Sequence, residues 1–208
     1  MTPNGADAAS RRGLTQTLNS KGETMVSWAE VKRLISRIVG PRLAELGFNN
    51  PGRAMWRFRP YFVDVVWFRC PRAGIFQVEF GCGLRRAVPN NPAPWDCQFR
   101  TQPGHSFNWE DTFWSFRRSE SEQVEVLRLL AARVAAAAER WFSHFNTIDS
   151  AISALENNQR SGPQNVALCA PGSPAYDEAM SELRAAAADV AQQPAAADEA
   201  GAAHRPRR

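Results

Sequence analysis

The sequence predicts an α+β domain, with one antiparallel sheet of three to five strands and N-terminal and C-terminal helices packed on one face. Three observations carry this expectation. Helical periodicity opens the chain at residues 28–46 and returns at residues 121–145. Between these segments apolar residues fall at every second position, most clearly over residues 76–84. Six of the seven Trp and eleven of the twelve Phe lie between Trp56 and Phe145, so the core is expected from residues 28–145.

Residues 1–24 are polar and rich in Gly, Ser, Thr and Asn. They bury too little to offset the entropy of ordering and are expected to form a disordered arm. Met25 stands two residues before the first strong structural signal, and the natural start is expected there. Ser27 followed by Glu30 is a capping-box pattern, in which each side chain bonds the other residue's backbone N–H. The helix that follows carries Trp28, Val31, Leu34, Ile35, Ile38, Leu43 and Leu46 on its apolar side. Gly40-Pro41 is expected to bend or restart it, because Pro lacks the donor and disfavours helical geometry in the preceding residue. Gly47 supplies the stop.

Trp56 and Phe58 alternate with Arg57 and Arg59, which predicts a half-buried strand with its rings in the core and its arginines in solvent. Residues 61–69 are apolar on both parities around Asp64, as expected of a central strand covered on two faces or of one covered by an arm or a partner. Phe76, Val78, Phe80, Cys82 and Leu84 alternate with Gln77, Glu79, Gly81 and Gly83. Gly81-x-Gly83 is read as a bulge or a close backbone approach, since neither a third glycine nor a phosphate-binding lysine follows. Pro-rich residues 89–94 predict a loop, residues 95–101 a fourth strand with Cys97 and Phe99 facing inward, and residues 112–116 a short fifth. The later long helix breaks at Asn146 or Thr147, and residues 147–155 form a further short one. The domain is therefore expected over residues 25–157, followed by a linker at 158–172. An Ala-rich helix over 173–192 comes next, capped by Ser173 with Pro174 at its first position, and a disordered tail over 193–208 closes the chain.

The formal charge is +4. Residues 28–150 carry 17 Arg and Lys against 12 Asp and Glu, a moderate excess that permits acidic partners without forming the dense basic stripe of a dedicated nucleic-acid binder. No run of apolar residues reaches the eighteen or so that a membrane helix needs, and no signal peptide is recognisable, so a cytoplasmic protein without a membrane partner is expected. Cys70, Cys82, Cys97 and Cys169 are widely spaced, with no C-x-x-C pair, and His occurs only at positions 105, 144 and 204. The expectation is incidental or buried thiols, with no metal and no cofactor.

Two constellations could carry function. Arg53, Trp56, Arg57, Phe58, Arg59, Tyr61, Trp67 and Arg69 interleave guanidinium groups with rings, the residue types that hold single-stranded nucleic acid, and Arg57 and Arg59 are its candidate binding residues. Plain alternation explains the same pattern as core rings and solvated arginines, and that explanation weighs more. The second is the loop over residues 95–114, which holds Trp95, Asp96, His105, Trp109, Glu110, Asp111 and Trp114. Its aromatics with Trp95, His105, Trp109 and Asp111 as candidate binding residues suit a protein interface, and its imidazole and carboxylates would suit an acid-base site. No catalytic signature motif is present, and no catalytic residue is assigned.

The opening helix, the phrase Leu46-Gly47-Phe48, the continuation Gly52, Trp56, Arg57, the strand ending Val65-Val66-Trp67-Phe68 and the pattern Phe76-x-Val78-x-Phe80-Gly81 come in an order that resembles the bacterial family called domain of unknown function 4304. The resemblance covers residues 28–85 and extends less clearly to the helix ending at residue 145. It implies a helix, a GF turn, three strands and closing helices, and it implies no activity. The long loop over residues 85–111 departs from that pattern, and the chain after Ser161 has no counterpart in it. The functional expectation is a non-enzymatic binding or interaction module of immunity or accessory type, whose partner is another protein. A weak nucleic-acid binder using the Arg and aromatic strands, and an enzyme with an acid-base site in residues 95–114, are the alternatives.

Overall fold

A computed structural model describes residues 25–49, 52–72, 75–102, 119–157 and 172–192. The expected arm at 1–24, most of the linker at 158–172, the tail at 193–208, the short strand at 112–116 and the site residues His105, Trp109 and Asp111 lie outside the described residues. Among those described, no helix is long and apolar enough to cross a membrane.

Helix α1 spans Trp28–Leu34 and starts at the expected capping box: the Ser27 N–H donates to Glu30 Oε2 at 2.6 Å, and the Glu30 N–H donates to Ser27 Oγ at 3.3 Å. The Ser27 N–H holds the Glu30 carboxyl below its ordinary value. The bend at Gly40-Pro41 takes the form of a five-residue π turn, Ile35–Val39, ahead of helix α2 at Gly40–Ala44. Widening the helix there accommodates a proline that brings no N–H. Gly47, at φ 85°, closes the helix: its N–H reaches Ala44 O, and the Phe48 N–H reaches Leu43 O, the paired bonds of a Schellman stop.

Strands β1 (Ala54–Phe58), β2 (Phe62–Arg72), β3 (Ile75–Leu84) and β4 (Phe99–Thr101) form one antiparallel sheet in the order β1-β2-β3-β4. The fourth strand is shorter than expected, because Pro94–Asp96 form a 3-10 turn instead of extending it. Helix α3 (Glu120–Phe142), a 3-10 turn at Ser143–Phe145, and helices α4 (Ile148–Asn157) and α5 (Pro174–Gln192) complete the described elements. Helices α1 to α3 cover one sheet face. Val31, Ile35, Leu43, Leu127, Leu130, Val134 and Phe142 meet Met55, Phe62, Val66, Phe68, Phe76, Val78, Phe80 and Leu84 in a single core. Burying each such side chain stabilises by roughly 2 kcal/mol. The core extends to Leu155 of α4 and to Ala179, Met180, Leu183 and Ala186 of α5, so the Ala-rich helix docks on the domain.

The opposite face is covered by the chain itself. Val63 and Val65 are buried outside the helical core, beneath residues 92–97, of which Pro92, Ala93, Pro94 and Cys97 are buried. The glycine pair makes room for this cover: a Cβ on Gly81 would lie 2.7 Å from Pro94 Cα and 2.9 Å from Cys97 Sγ. The close-approach reading of Gly81 holds, and Cys97 packs on this second face, opposite to Phe99.

The expected parity of β1 is reversed. Arg57 and Arg59 turn toward the helices, whereas Phe58 is 48% exposed and Trp56 is half-buried on the other face. The cause lies across the ladder, where Arg57 pairs in register with Asp64, a fully buried carboxylate. An unpaired carboxylate there would be far more costly than an exposed phenyl ring, so the cations go inward.

Candidate functional site

The inward arginines form a charge cluster at one end of the sheet. Arg57 Nε donates to Asp64 Oδ2 at 2.8 Å, and Arg59 Nη2 donates to Asp64 Oδ1 at 2.7 Å. Further donors reach helix ends: Arg57 Nη1 to Leu46 O at 3.1 Å and Arg59 Nη1 to Phe145 O at 2.8 Å. Those carbonyls follow α2 and α3, where the last turns leave acceptors unmatched. The Arg57 guanidinium also lies 4.9 Å from the Phe48 ring centroid and 5.4 Å from that of Phe142. Arg57 and Arg59 therefore lock the sheet to the helices, with both guanidinium groups turned into the fold.

Cys82 stands in register with Asp64 on the neighbouring strand. Burial pushes its thiol well up, and the Asp64 carboxylate adds to the shift. Burial likewise raises the Cys97 thiol, with Asp96 contributing. Both sulfurs are held protonated at neutral pH and lack the thiolate that nucleophilic chemistry needs. Among the described residues no group of His, Cys, Asp or Glu is arranged to hold a metal ion.

The exposed constellation is on the second face. Trp95, 53% exposed, rides on the 3-10 turn at Pro94–Asp96. Its ring meets Trp67 edge-on at 5.1 Å between centroids, and the Arg53 guanidinium lies 5.0 Å from the Trp67 ring. The turn is anchored by the Ala93 N–H, which donates to Asp96 Oδ2 at 2.8 Å, and by Trp56 Nε1, which donates to Pro92 O at 2.8 Å. A rigid, half-exposed indole backed by a second indole and flanked by an arginine combines the residue types enriched where one protein anchors in another.

Of the candidate residues, Trp95 stands in this exposed cluster, and Arg57 and Arg59 lie on the other side of the sheet. The three do not share a site. Arg53 and Trp67 stand where alternation had been expected to put Arg57 and Arg59. The signal that locates them is Asp64: a carboxylate at the centre of an apolar strand calls for cations in register, and β1 offers them only on the Arg57 parity. No family model, no curated protein and no solved structure matches this chain.

Proposed function

We propose that the protein is a non-enzymatic interaction module of the bacterial cytoplasm, of immunity or accessory type, that binds another protein through the face centred on Trp95. The observation that carries this reading is the half-exposed Trp95 ring, held at 5.1 Å from Trp67 and fixed by a turn whose prolines are buried. An indole ordered before binding loses little conformational freedom on contact, which favours affinity. The same reading keeps the chain with the domain of unknown function 4304 family, on the order of helix, Leu46-Gly47-Phe48 turn and strands. A second reading, single-stranded nucleic acid stacked on Trp95 with Arg53 at the backbone, is favoured by the cation over Trp67. It is weakened by Arg57 and Arg59, which turn into the fold and bond Asp64 and two backbone carbonyls there.

A photo-crosslinking residue placed at Trp95 in living cells tests both readings. A discrete protein adduct, absent when the same group replaces exposed Ala132 on α3, is the expected outcome. Adducts to nucleic acid alone would transfer the face to the second reading, and equal adduct patterns at the two positions would remove both.

A further inference from the structure

A groove of about 320 Å³ opens between the β1–β2 turn, the end of β3 and the last turns of α5. Its size lies at the lower end of the range for small-molecule sites, roughly 300–1,000 Å³. Tyr61, Leu84, Ala186 and Val190 supply apolar walls, with Tyr61 41% and Val190 36% exposed. Two adjacent arginines supply the charge, and they differ. Arg86 pairs with the Asp189 carboxylate and donates to Glu182 O at 2.8 Å, so it is neutralised while it pins α5. Arg85 meets no carboxylate among the described residues; its guanidinium lies 5.7 Å from the exposed Phe58 ring. Its backbone N–H is tied to Tyr61 O at 2.9 Å, which fixes the root of the side chain beside the tyrosine.

We propose that this groove binds a small flat aromatic ring bearing an anionic group, with the ring against Tyr61 and Val190 and the anion on Arg85. Tyr61 and Val190 offer exposed apolar surface beside the charged residues Arg85, Arg86 and Asp189, and the tyrosine ring suits a planar aromatic partner. The Arg85 guanidinium, which meets no carboxylate among the described residues, selects an anion and offers a carboxylate or a phosphate two parallel donors. An aromatic carboxylate and a nucleoside monophosphate share this chemistry.

The test is an amide chemical-shift titration of the full chain with indole-3-acetate and with adenosine monophosphate, using indole-3-acetamide and adenosine as uncharged counterparts. Saturable shifts at Arg86, Ala186 and Val190 are expected with at least one of the two anions, with a dissociation constant of roughly 1 mM or tighter and at least about tenfold weaker binding of its uncharged counterpart. The anion that saturates identifies the source. Arg85→Gln is expected to bring the anion down to the level of its uncharged counterpart, and Arg85→Lys to retain part of the preference. Trp95→Ala, which removes the protein contact proposed above, is expected to leave the titration unchanged, so the two sites fail separately. Absence of saturable shifts at these amides, equal binding of charged and uncharged compounds, or an unaltered titration in Arg85→Gln would overturn the proposal.

Discussion

Asp64 is fully buried, with Arg57 on one oxygen and Arg59 on the other, and its surroundings are the apolar core beneath the helices. Removing one partner of such a cluster leaves the others desolvated and uncompensated, whereas removing all of them does not. Asp64→Asn is therefore expected to destabilise the fold by about 3 kcal/mol, read as a lower urea midpoint with an unchanged slope. Arg57→Met, Arg59→Leu and Asp64→Val introduced together are expected to recover most of that loss. A single Asn variant as stable as the parent would show that the cluster is solvated and that its geometry contributes little.

At the scale of elements, the Ser27 and Ser173 caps, the Gly47 stop and the alternation of β3 were legible in residue order, because each depends on local chemistry, whereas the Ser119 cap of α3 lies two residues before the expected start of that helix. The parity of β1 was not. Alternation identifies two faces without saying which is inward, and the answer depended on Asp64, a partner across the ladder. The extent of β4 was hidden for a related reason: Pro94–Asp96 leave the strand to cover the second face, and the room for that cover is made by glycines on β3. Those glycines give a graded prediction. A Cβ at position 81 meets the Pro94 backbone at 2.7 Å, whereas at position 83 it meets the tip of the Val88 side chain at 2.6 Å. Gly81→Ala is expected to cost about 2 kcal/mol and Gly83→Ala distinctly less, because a side chain can turn aside and the backbone of a packed turn cannot. Matched thermal midpoints for the two variants would contradict this account. At the candidate site, Trp95 was legible as a loop aromatic, but its neighbours Trp67 and Arg53 came from strand parity and so were assigned with the wrong arginines.

Across the whole molecule, α5 is joined to the domain by buried apolar residues and by polar clamps. Leu183 is fully buried, Gln98 Nε2 donates to Glu182 Oε2 at 2.8 Å, and Arg86 holds Asp189. If α5 is an integral part of the cooperative unit, Leu183→Ala should lower global stability by about 3 kcal/mol. Indole fluorescence, to which α5 contributes no tryptophan, and far-ultraviolet circular dichroism should then shift together along one transition. Separate transitions for the two probes would make α5 an appendage. The placement of this helix also has a temporal consequence. Tyr61 and Val190 face the same groove from positions 129 residues apart, and one wall of that groove emerges from the ribosome only after the whole sheet has been synthesised. The residues of the second-face cover that hold Trp95 all lie before residue 100, whereas the groove also needs residues 186–190. The residues of the indole surface are thus synthesised well before the last wall of the groove, which fixes the order in which the two can be completed during translation.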